Sequence, residues 1–304
     1  QPNKFMKKKN WSTADIPSQE GKIIIVTGST SGLGAEAVKV LVGKGAQIIM
    51  AVRNIDKADK VKAKIIENIP NAKITIHHLD LMDLKSIEVC ANDIIKTYNH
   101  LDVLINNAGI MMCPFATTKD GFEIQMGTNH LGPFAFTGRL MPLLTKTKNA
   151  RIVSTSSLAH HSGAIDFSDI NWGKRKYKTT KAYGDSKIAN LYFTYELADK
   201  LKNLKNSPTV TVAHPGWTTT DLQKHSFMFN FLNPIFGQDV SEGVLPTLRA
   251  AVDTDVNSGD YFGPSRMGGM RGAPIKIKSN KNSKNKQYAK ELWALSEKLT
   301  GVTY

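Results

Sequence analysis

The run 27–34, which reads Thr-Gly-Ser-Thr-Ser-Gly-Leu-Gly, constrains the fold of this chain more than any other feature. It directly follows the apolar stretch 23–26 and opens a segment of helical length. Glycines let the backbone approach a phosphate closely, and a helix N-terminus offers free N–H groups and a partial positive charge. The spacing is looser than the usual G-x-G-x-x-G fingerprint, and by itself it also suits an ordinary tight turn. We predict a strand–turn–helix unit whose dinucleotide phosphate site is formed by Gly28, Thr30, Ser31, Gly32, Leu33 and Gly34.

Short apolar runs alternate with segments of helical length along most of the chain. The predicted strands are 23–26, 48–51, 74–78, 103–106, 151–154 and 209–213, and the predicted helices are 35–44, 56–68, 84–98, 126–144 and 183–204. Because the apolar runs are continuous rather than alternating, they indicate a parallel sheet covered by helices on both faces. We therefore expect an α/β fold with a doubly wound parallel sheet, Rossmann-like, in one domain over 1–304. The segment 265–288 is expected to be an exposed connection before a final helix near 287–299.

Chemically distinctive residues follow the predicted strands one by one. In a doubly wound sheet the ligand binds at the carboxyl ends of the strands. The residues at those ends, in strand order, are Gly28, Arg53, Asp80, Asn107, Ser157 and Pro215. The sequence therefore predicts that all six meet at one edge of the sheet.

This ordered set of motifs resembles the short-chain dehydrogenase/reductase family. The resemblance is carried by the glycine-rich run and by Asp80, Asn106-Asn107-Ala108-Gly109, Asn129, Ser157, Tyr183, Lys187 and Pro215-Gly216. Tyr183 follows Ser157 by 26 positions, a longer gap than in most family members. Together with similarity from about Trp11 onward, this gap resembles the retinol-dehydrogenase-like and protochlorophyllide-reductase-like branch.

The resemblance implies hydride transfer between NADP(H) and a carbonyl or alcohol. Tyr183 would donate the proton, Ser157 would polarise the substrate oxygen, Lys187 would tune the tyrosine and hold the nicotinamide ribose, and Asn129 would complete the proton path. Tyr183 and Lys187 are four residues apart and so share a helix face. A cation at ~4 Å could lower the pKa of the phenol by up to about three units. Ser156 is the rival of Ser157, since the run offers two adjacent hydroxyls.

The end of the second strand favours NADP(H) over NAD(H). An acidic side chain there would hold the ribose 2′-hydroxyl, but this chain has Val52 followed by Arg53, whose guanidinium suits a 2′-phosphate. A plain surface arginine and, for Asp80, a helix cap are the structural alternatives. The further residues that the resemblance assigns to the cofactor are Asn54, Asp80, Leu81, Asn107, Ala108, Gly109, Tyr183, Lys187, Pro215, Gly216, Trp217 and Thr218.

Composition narrows the remaining functions. The net charge of +14 raises the question of nucleic acid, but the seven arginines are scattered, so we expect no nucleic-acid partner and a basic rim for an anionic cofactor. The histidine pairs at 77–78 and 160–161 lack a ligand motif, so we expect no metal.

Cys90 and Cys113 form no C-x-x-C pair, which favours a reducing, cytoplasmic location. The stretch 1–9 is basic without an apolar core, and the start at Gln1 leaves an upstream segment or anchor open.

The aromatic-rich segment 225–236 indicates what the substrate is like. We expect a lid near 217–237 over a lipophilic aldehyde, ketone or alcohol, such as a retinoid-, steroid- or fatty-aldehyde-like compound. A helix packed on the core explains the same residues, and so does a peripheral membrane contact. A homodimer formed through the helix that begins at Tyr183 is left open. The alternative function is a non-catalytic NADP(H)-binding sensor or interaction protein on the same fold.

Overall fold

The computed structural model describes residues 10–218 and 238–304, so most of the expected lid lies outside the described residues. The strands are β1 (Ile23–Thr27), β2 (Gln47–Val52), β3 (Lys73–His78), β4 (Val103–Asn106), β5 (Arg151–Thr155), β6 (Thr209–Ala213), β7 (Tyr261–Arg266) and β8 (Arg271–Ile277). The helices are α1 (Gly32–Gly43), α2 (Ile55–Asn68), α3 (Leu84–Thr97), α4 (Ile124–Met126), α5 (Gly132–Leu144), α6 (Thr179–Leu201), α7 (Val240–Gly243), α8 (Leu245–Val252) and α9 (Lys286–Thr300). A π-helical segment, Gly127–Leu131, joins α4 to α5.

The strands of the described residues form one sheet in the order β3-β2-β1-β4-β5-β6-β7-β8. All neighbours pair in parallel except β7 and β8, which are antiparallel. The chain direction across the sheet reverses between β1 and β4, which is the switch point at which such sheets bind ligands. The predicted α/β fold with a doubly wound parallel sheet is confirmed, with an antiparallel strand at one edge.

The prediction of an exposed connection over 265–288 is wrong. This segment contains most of the β7–β8 hairpin, in which Pro264 pairs with Pro274 and the register shifts before Arg266. Proline lacks the N–H that a central strand donates, so in sheets it is confined to edges and bulges. A segment that contains proline is therefore difficult to recognise as a strand from its sequence. The mixed, partly exposed pattern of β8 is that of an edge strand, not of the continuous apolar runs found in the sheet centre.

Two apolar cores confirm that helices cover both faces of the sheet. On one face, Ile25 and Leu104 belong to a cluster with residues of α3, α5, α6 and α9. On the other face, Ile24 and Val26 belong to a cluster with residues of α1, α2 and α8. Successive strand residues thus point to opposite faces and are buried on both.

The C-terminal helix α9 packs against α6 and the chain then crosses α5. Trp293 stacks on Phe193 of α6 with 6.0 Å between the ring centroids, and the Tyr304 hydroxyl donates to the Phe134 carbonyl at 2.6 Å. A Cβ at Gly138 of α5 would lie 2.7 Å from the Tyr304 ring, so only glycine admits the tail at this distance. The homodimer through α6 stays a prediction, and α9 already covers part of that helix.

No helix among the described residues is both long enough and apolar enough to span a membrane.

Candidate active site

The glycine-rich turn after β1 is locked against the turn after β4. The Thr27 hydroxyl accepts hydrogen bonds from the backbone N–H groups of Asn107 and Ala108 at 3.0 and 2.9 Å, and the Asn107 amide donates to the Thr27 carbonyl at 2.9 Å. Gly28 has a φ of +63°, and a Cβ there would lie 2.7 Å from Ala108. A Cβ at Gly34 would lie 2.6 Å from the Asn107 amide nitrogen. Glycine is therefore required at both positions for the two turns to meet.

A cavity of about 940 Å³ opens over the carboxyl ends of the strands. Most of the predicted site residues line it: Gly28, Thr30, Ser31, Gly32, Leu33, Gly34, Arg53, Asn54, Asp80, Leu81, Asn107, Ala108, Gly109, Ser157, Tyr183, Pro215, Gly216, Trp217 and Thr218. Asn129 and Lys187 are not in this lining and lie behind it, almost fully buried.

The exposed end of the cavity carries two cations. Arg53 is exposed, with its guanidinium 3.9 Å from the Met82 sulfur. Asn54 caps α2 by accepting from the Lys57 backbone N–H at 2.8 Å, which places the Lys57 side chain on the same wall. Sequence reasoning missed Lys57, although its position one turn after the cap was a usable signal.

Asp80 closes a turn and does not cap a helix. Its carboxylate accepts from the Met82 backbone N–H at 3.0 Å, while Asp83 caps α3 by accepting from the Lys85 N–H at 2.9 Å. The helix-cap alternative therefore belongs to Asp83. Asp80 itself lines the cavity beside Leu81.

Tyr183 and Lys187 project from one face of α6, as their spacing predicts. Tyr183 is 7% exposed, and the Lys187 Nζ lies 5.5 Å from the centre of its ring and 3.4 Å from the Thr155 carbonyl. Burial raises the pKa of Tyr183 to about 12, and interaction with the Ser157 side chain lowers it only in part. Burial also lowers the pKa of Lys187 to about 8. The expected lowering of the Tyr183 pKa is therefore not found, because desolvation of the buried phenol outweighs its interaction with Ser157.

The two adjacent serines have different surroundings. The Ser156 hydroxyl donates to the Lys187 backbone carbonyl at 2.9 Å, and its side chain is buried between β5 and α6. Ser157 is half-buried, accepts from the Ala159 N–H at 3.2 Å, and interacts with the Tyr183 phenol. Ser157 is therefore the serine placed beside Tyr183.

Asn129 lies in the π-helical segment between α4 and α5. Its side-chain oxygen accepts from the Ile110 N–H at 2.8 Å, and its amide donates to the Ile110 carbonyl and the Ser186 hydroxyl, both at 2.9 Å. The wider π turn places the Asn129 side chain within hydrogen-bond distance of the Ile110 N–H, the Ile110 carbonyl and the Ser186 hydroxyl. Asn129 thus fixes the loop after β4, where a Cβ at Gly109 would lie 3.5 Å from the Lys187 Nζ.

The cavity lining includes an apolar wall, and sequence reasoning missed much of it. The residues here, apart from the predicted Trp217, are Ile110, Met111, Met112, Leu158 and Met270. Met270 comes from the turn between β7 and β8, and its carbonyl accepts from the Trp217 N–H at 2.9 Å. The wrongly assigned hairpin therefore supplies part of the cavity.

Comparison with known proteins agrees with this geometry. The model of the short chain dehydrogenase family matches residues 22–229 of the chain. The chain belongs to this family. Human retinol dehydrogenase 13 is 39% identical over 302 residues, which cover 96% of this chain and 87% of the relative.

Solved structures share the fold. An uncharacterized protein from Mycobacterium paratuberculosis is 37% identical, with a TM-score of 0.83 over 97% of this chain and 99% of that protein. A short-chain dehydrogenase from Shigella flexneri, solved in complex with NADP, is 25% identical, with a TM-score of 0.65 over 81% of this chain and 97% of that protein. This chain is thus an oxidoreductase of a family that uses NAD(P)(H). In the described parts of the chain, no three His, Cys, Asp or Glu side chains are grouped to hold a metal.

Proposed function

We propose that this chain transfers a hydride between NADP(H) and a lipophilic aldehyde, ketone or alcohol. The observation that carries the proposal is the position of Tyr183 and Ser157 in one cavity. The lining of that cavity also includes the cations Arg53 and Lys57 and a group of apolar side chains.

The residues at the cofactor end fit a dinucleotide phosphate. A side chain at Gly28 or Gly34 would push the glycine-rich turn away from the Asn107–Ala108 turn, and Arg53 and Lys57 offer positive charge where an acidic side chain would favour NAD. The relative from Shigella flexneri was solved with NADP, which supports the choice of the phosphorylated cofactor. When bound, the nicotinamide supplies or accepts the hydride.

Residues of the chain itself supply the proton and stabilise the negative charge on the substrate oxygen. A pKa of about 12 keeps Tyr183 protonated at neutral pH, so in the reductive direction it acts as the proton donor. Ser157 donates to the same oxygen and stabilises the charge that develops on it. Lys187, charged below its pKa of about 8, favours the phenolate that remains after proton transfer. Asn129 holds the loop that packs on Lys187.

The apolar wall of the cavity indicates the class of substrate. Three methionines, Met111, Met112 and Met270, line the same cavity as Trp217 and Tyr183. Thioether side chains adapt to irregular apolar shapes, and no charged residue is among those named on this wall. The relatives named retinol dehydrogenases support a bulky apolar alcohol or aldehyde.

The test combines binding with turnover. Titration calorimetry should show tighter binding of NADPH than of NADH, and a panel of lipophilic aldehydes and ketones should reveal NADPH oxidation. Tyr183→Phe should abolish turnover while it leaves NADPH binding largely unchanged. Tyr195→Phe is the matched control, because Tyr195 lies on the same helix and its hydroxyl contacts Ser279 instead. Tight NADPH binding without turnover of any carbonyl would support the non-catalytic sensor, and no binding would refute both.

A further inference from the structure

His160 fixes the turn that carries Ser157. It lies on the 3₁₀ turn Leu158–Ser162, and the Ser157 carbonyl accepts from both its backbone N–H at 3.0 Å and its Nδ1 at 2.6 Å. A carbonyl can only accept, so Nδ1 carries the proton. Burial lowers the pKa of His160 to about 4, so the ring is neutral and its Nε2 is a bare acceptor.

His214 holds the neighbouring turn with the opposite tautomer. It follows β6, and its Nδ1 accepts from the Gly216 backbone N–H at 3.1 Å. Because that N–H donates, Nδ1 is unprotonated and the proton of the neutral ring is on Nε2. Burial lowers the pKa of His214 to about 3, so this ring is neutral as well.

The two rings converge on Tyr261 of β7. The ring centroids of His160 and His214 lie 5.8 and 5.5 Å from that of Tyr261, and all three side chains are at most 2% exposed. Among the described residues, neither Nε2 atom has a hydrogen-bond partner, and the Tyr261 hydroxyl has the Ser156 side chain beside it. Unpaired polar atoms at this depth are costly.

The three atoms are chemically complementary. The His214 Nε2–H is a donor, the His160 Nε2 is an acceptor, and the Tyr261 hydroxyl is both. We propose that His160 and His214 are positioning residues whose Nε2 atoms are bridged, with the Tyr261 hydroxyl, by one buried water, as buried waters with two to four polar partners do. Through Tyr261 and this water they hold the Ser157 turn and the 215–216 turn in one fixed relation.

This arrangement affects the positions of both Ser157 and Gly216. Ser157 and Gly216 line the same cavity, one on the turn after β5 and the other on the turn after β6. A shared buried centre prevents the two turns from moving independently. Its loss would misplace the serine hydroxyl relative to the nicotinamide end, and small displacements of reacting groups lower the rate steeply.

Alanine and asparagine variants separate positioning from folding. His160→Ala should lower kcat about tenfold or more with an unchanged Kd for NADPH, and His160→Asn, which retains a donor at the Nδ1 position, should recover most of it. His214→Ala should weaken NADPH binding by a similar factor, and His214→Asn should restore it. His161→Ala is the matched control, since His161 is exposed and only stacks on His160. Equal kcat values for the alanine and asparagine variants at position 160 would refute the inference.

A second measurement does not depend on turnover. The kinetic readout rests on the proposed function, whereas long-range ¹H–¹⁵N spectra of the full chain report the tautomers directly. His160, assigned with His160→Asn, should show the Nδ1–H form, and His214, assigned with His214→Asn, the Nε2–H form. The same tautomer for both rings, or a charged ring at neutral pH, overturns the inference even in an active enzyme. Correct tautomers in a protein without turnover would overturn the proposed function alone.

Discussion

Replacing each of the two adjacent serines by alanine separates a structural hydroxyl from a reactive one. Ser156→Ala removes the 2.9 Å hydrogen bond to the buried Lys187 carbonyl. Lys187 lies in the middle of α6, so its carbonyl keeps the intrahelical bond from the N–H four residues on. The lost hydrogen bond therefore costs about 0.5–1.5 kcal/mol, which lowers the melting temperature by roughly 1–3 °C in a chain of this size. We expect turnover to change little, since the Ser156 hydroxyl is already committed to the backbone of α6.

Ser157→Ala should instead affect turnover. The lost contact with the Ala159 N–H is a 3.2 Å turn interaction on the half-buried side, which is worth about 0.5–1 kcal/mol. A donor to the developing oxyanion is worth about 10²–10³ in kcat. Turnover should therefore fall by that factor while the melting temperature changes by only a few degrees.

Thermal melts and steady-state NADPH oxidation on the same preparations measure both quantities. Ser162→Ala is the matched control, because Ser162 bonds to the same short turn through the Ala159 carbonyl and is exposed. It should affect neither quantity. A variant at Ser156 that loses turnover a hundredfold without a change in melting temperature, while the Ser157 variant stays active, would refute the assignment.

Two further perturbations test the cofactor end and the lysine. Arg53→Ala should weaken NADPH binding about five- to thirtyfold and leave NADH binding unchanged, because an exposed cation near a phosphate is worth about 1–2 kcal/mol. Calorimetry checks this, with Lys60→Ala in α2, the helix that follows Arg53, as control. Equal losses for both cofactors would exclude a phosphate-reading role. Turnover should fall above about pH 8, where Lys187 loses its charge. In the unfolded chain the lysine keeps its proton to about pH 10.4, so unfolding takes up a proton in that window and this group's contribution to stability rises with pH. A pH–rate profile that stays flat to pH 10, or a parallel loss of stability, would contradict the assignment.

The parallel part of the sheet was predictable because its sequence signal is strong. Strands buried on both faces read as continuous apolar runs, and the predicted bounds of β4 and β6 coincide with the observed ones. The residues after these strands come to one edge because parallel strands all end there. The convergence of Gly28, Asn107 and Ser157 on one cavity therefore follows from the fold class alone.

Features that depend on contacts between distant segments were not predictable. The π-helical turn at Asn129 has no local sequence signature, since its side chain is held by Ile110 and Ser186 from elsewhere in the chain. The raised pKa of Tyr183 also depends on contacts between distant segments. Spacing shows that Lys187 is near, but only the packed structure shows how strongly the phenol is desolvated.

The missed hairpin shows why the cofactor end of this site was easier to predict than the substrate end. Residues at the cofactor end follow central strands, whose apolar runs identify them. Met270 instead sits at the tip of an edge hairpin with prolines in both strands, and it reaches the cavity by accepting from the Trp217 N–H. A weakly patterned edge can change its sequence without loss of the sheet, whereas the central strands cannot. Met270 is therefore the residue of the apolar wall that stands on a weakly patterned edge, whereas Ile110, Met111 and Met112 follow β4 and Leu158 follows β5, as the phosphate turn follows β1 and Ser157 follows β5.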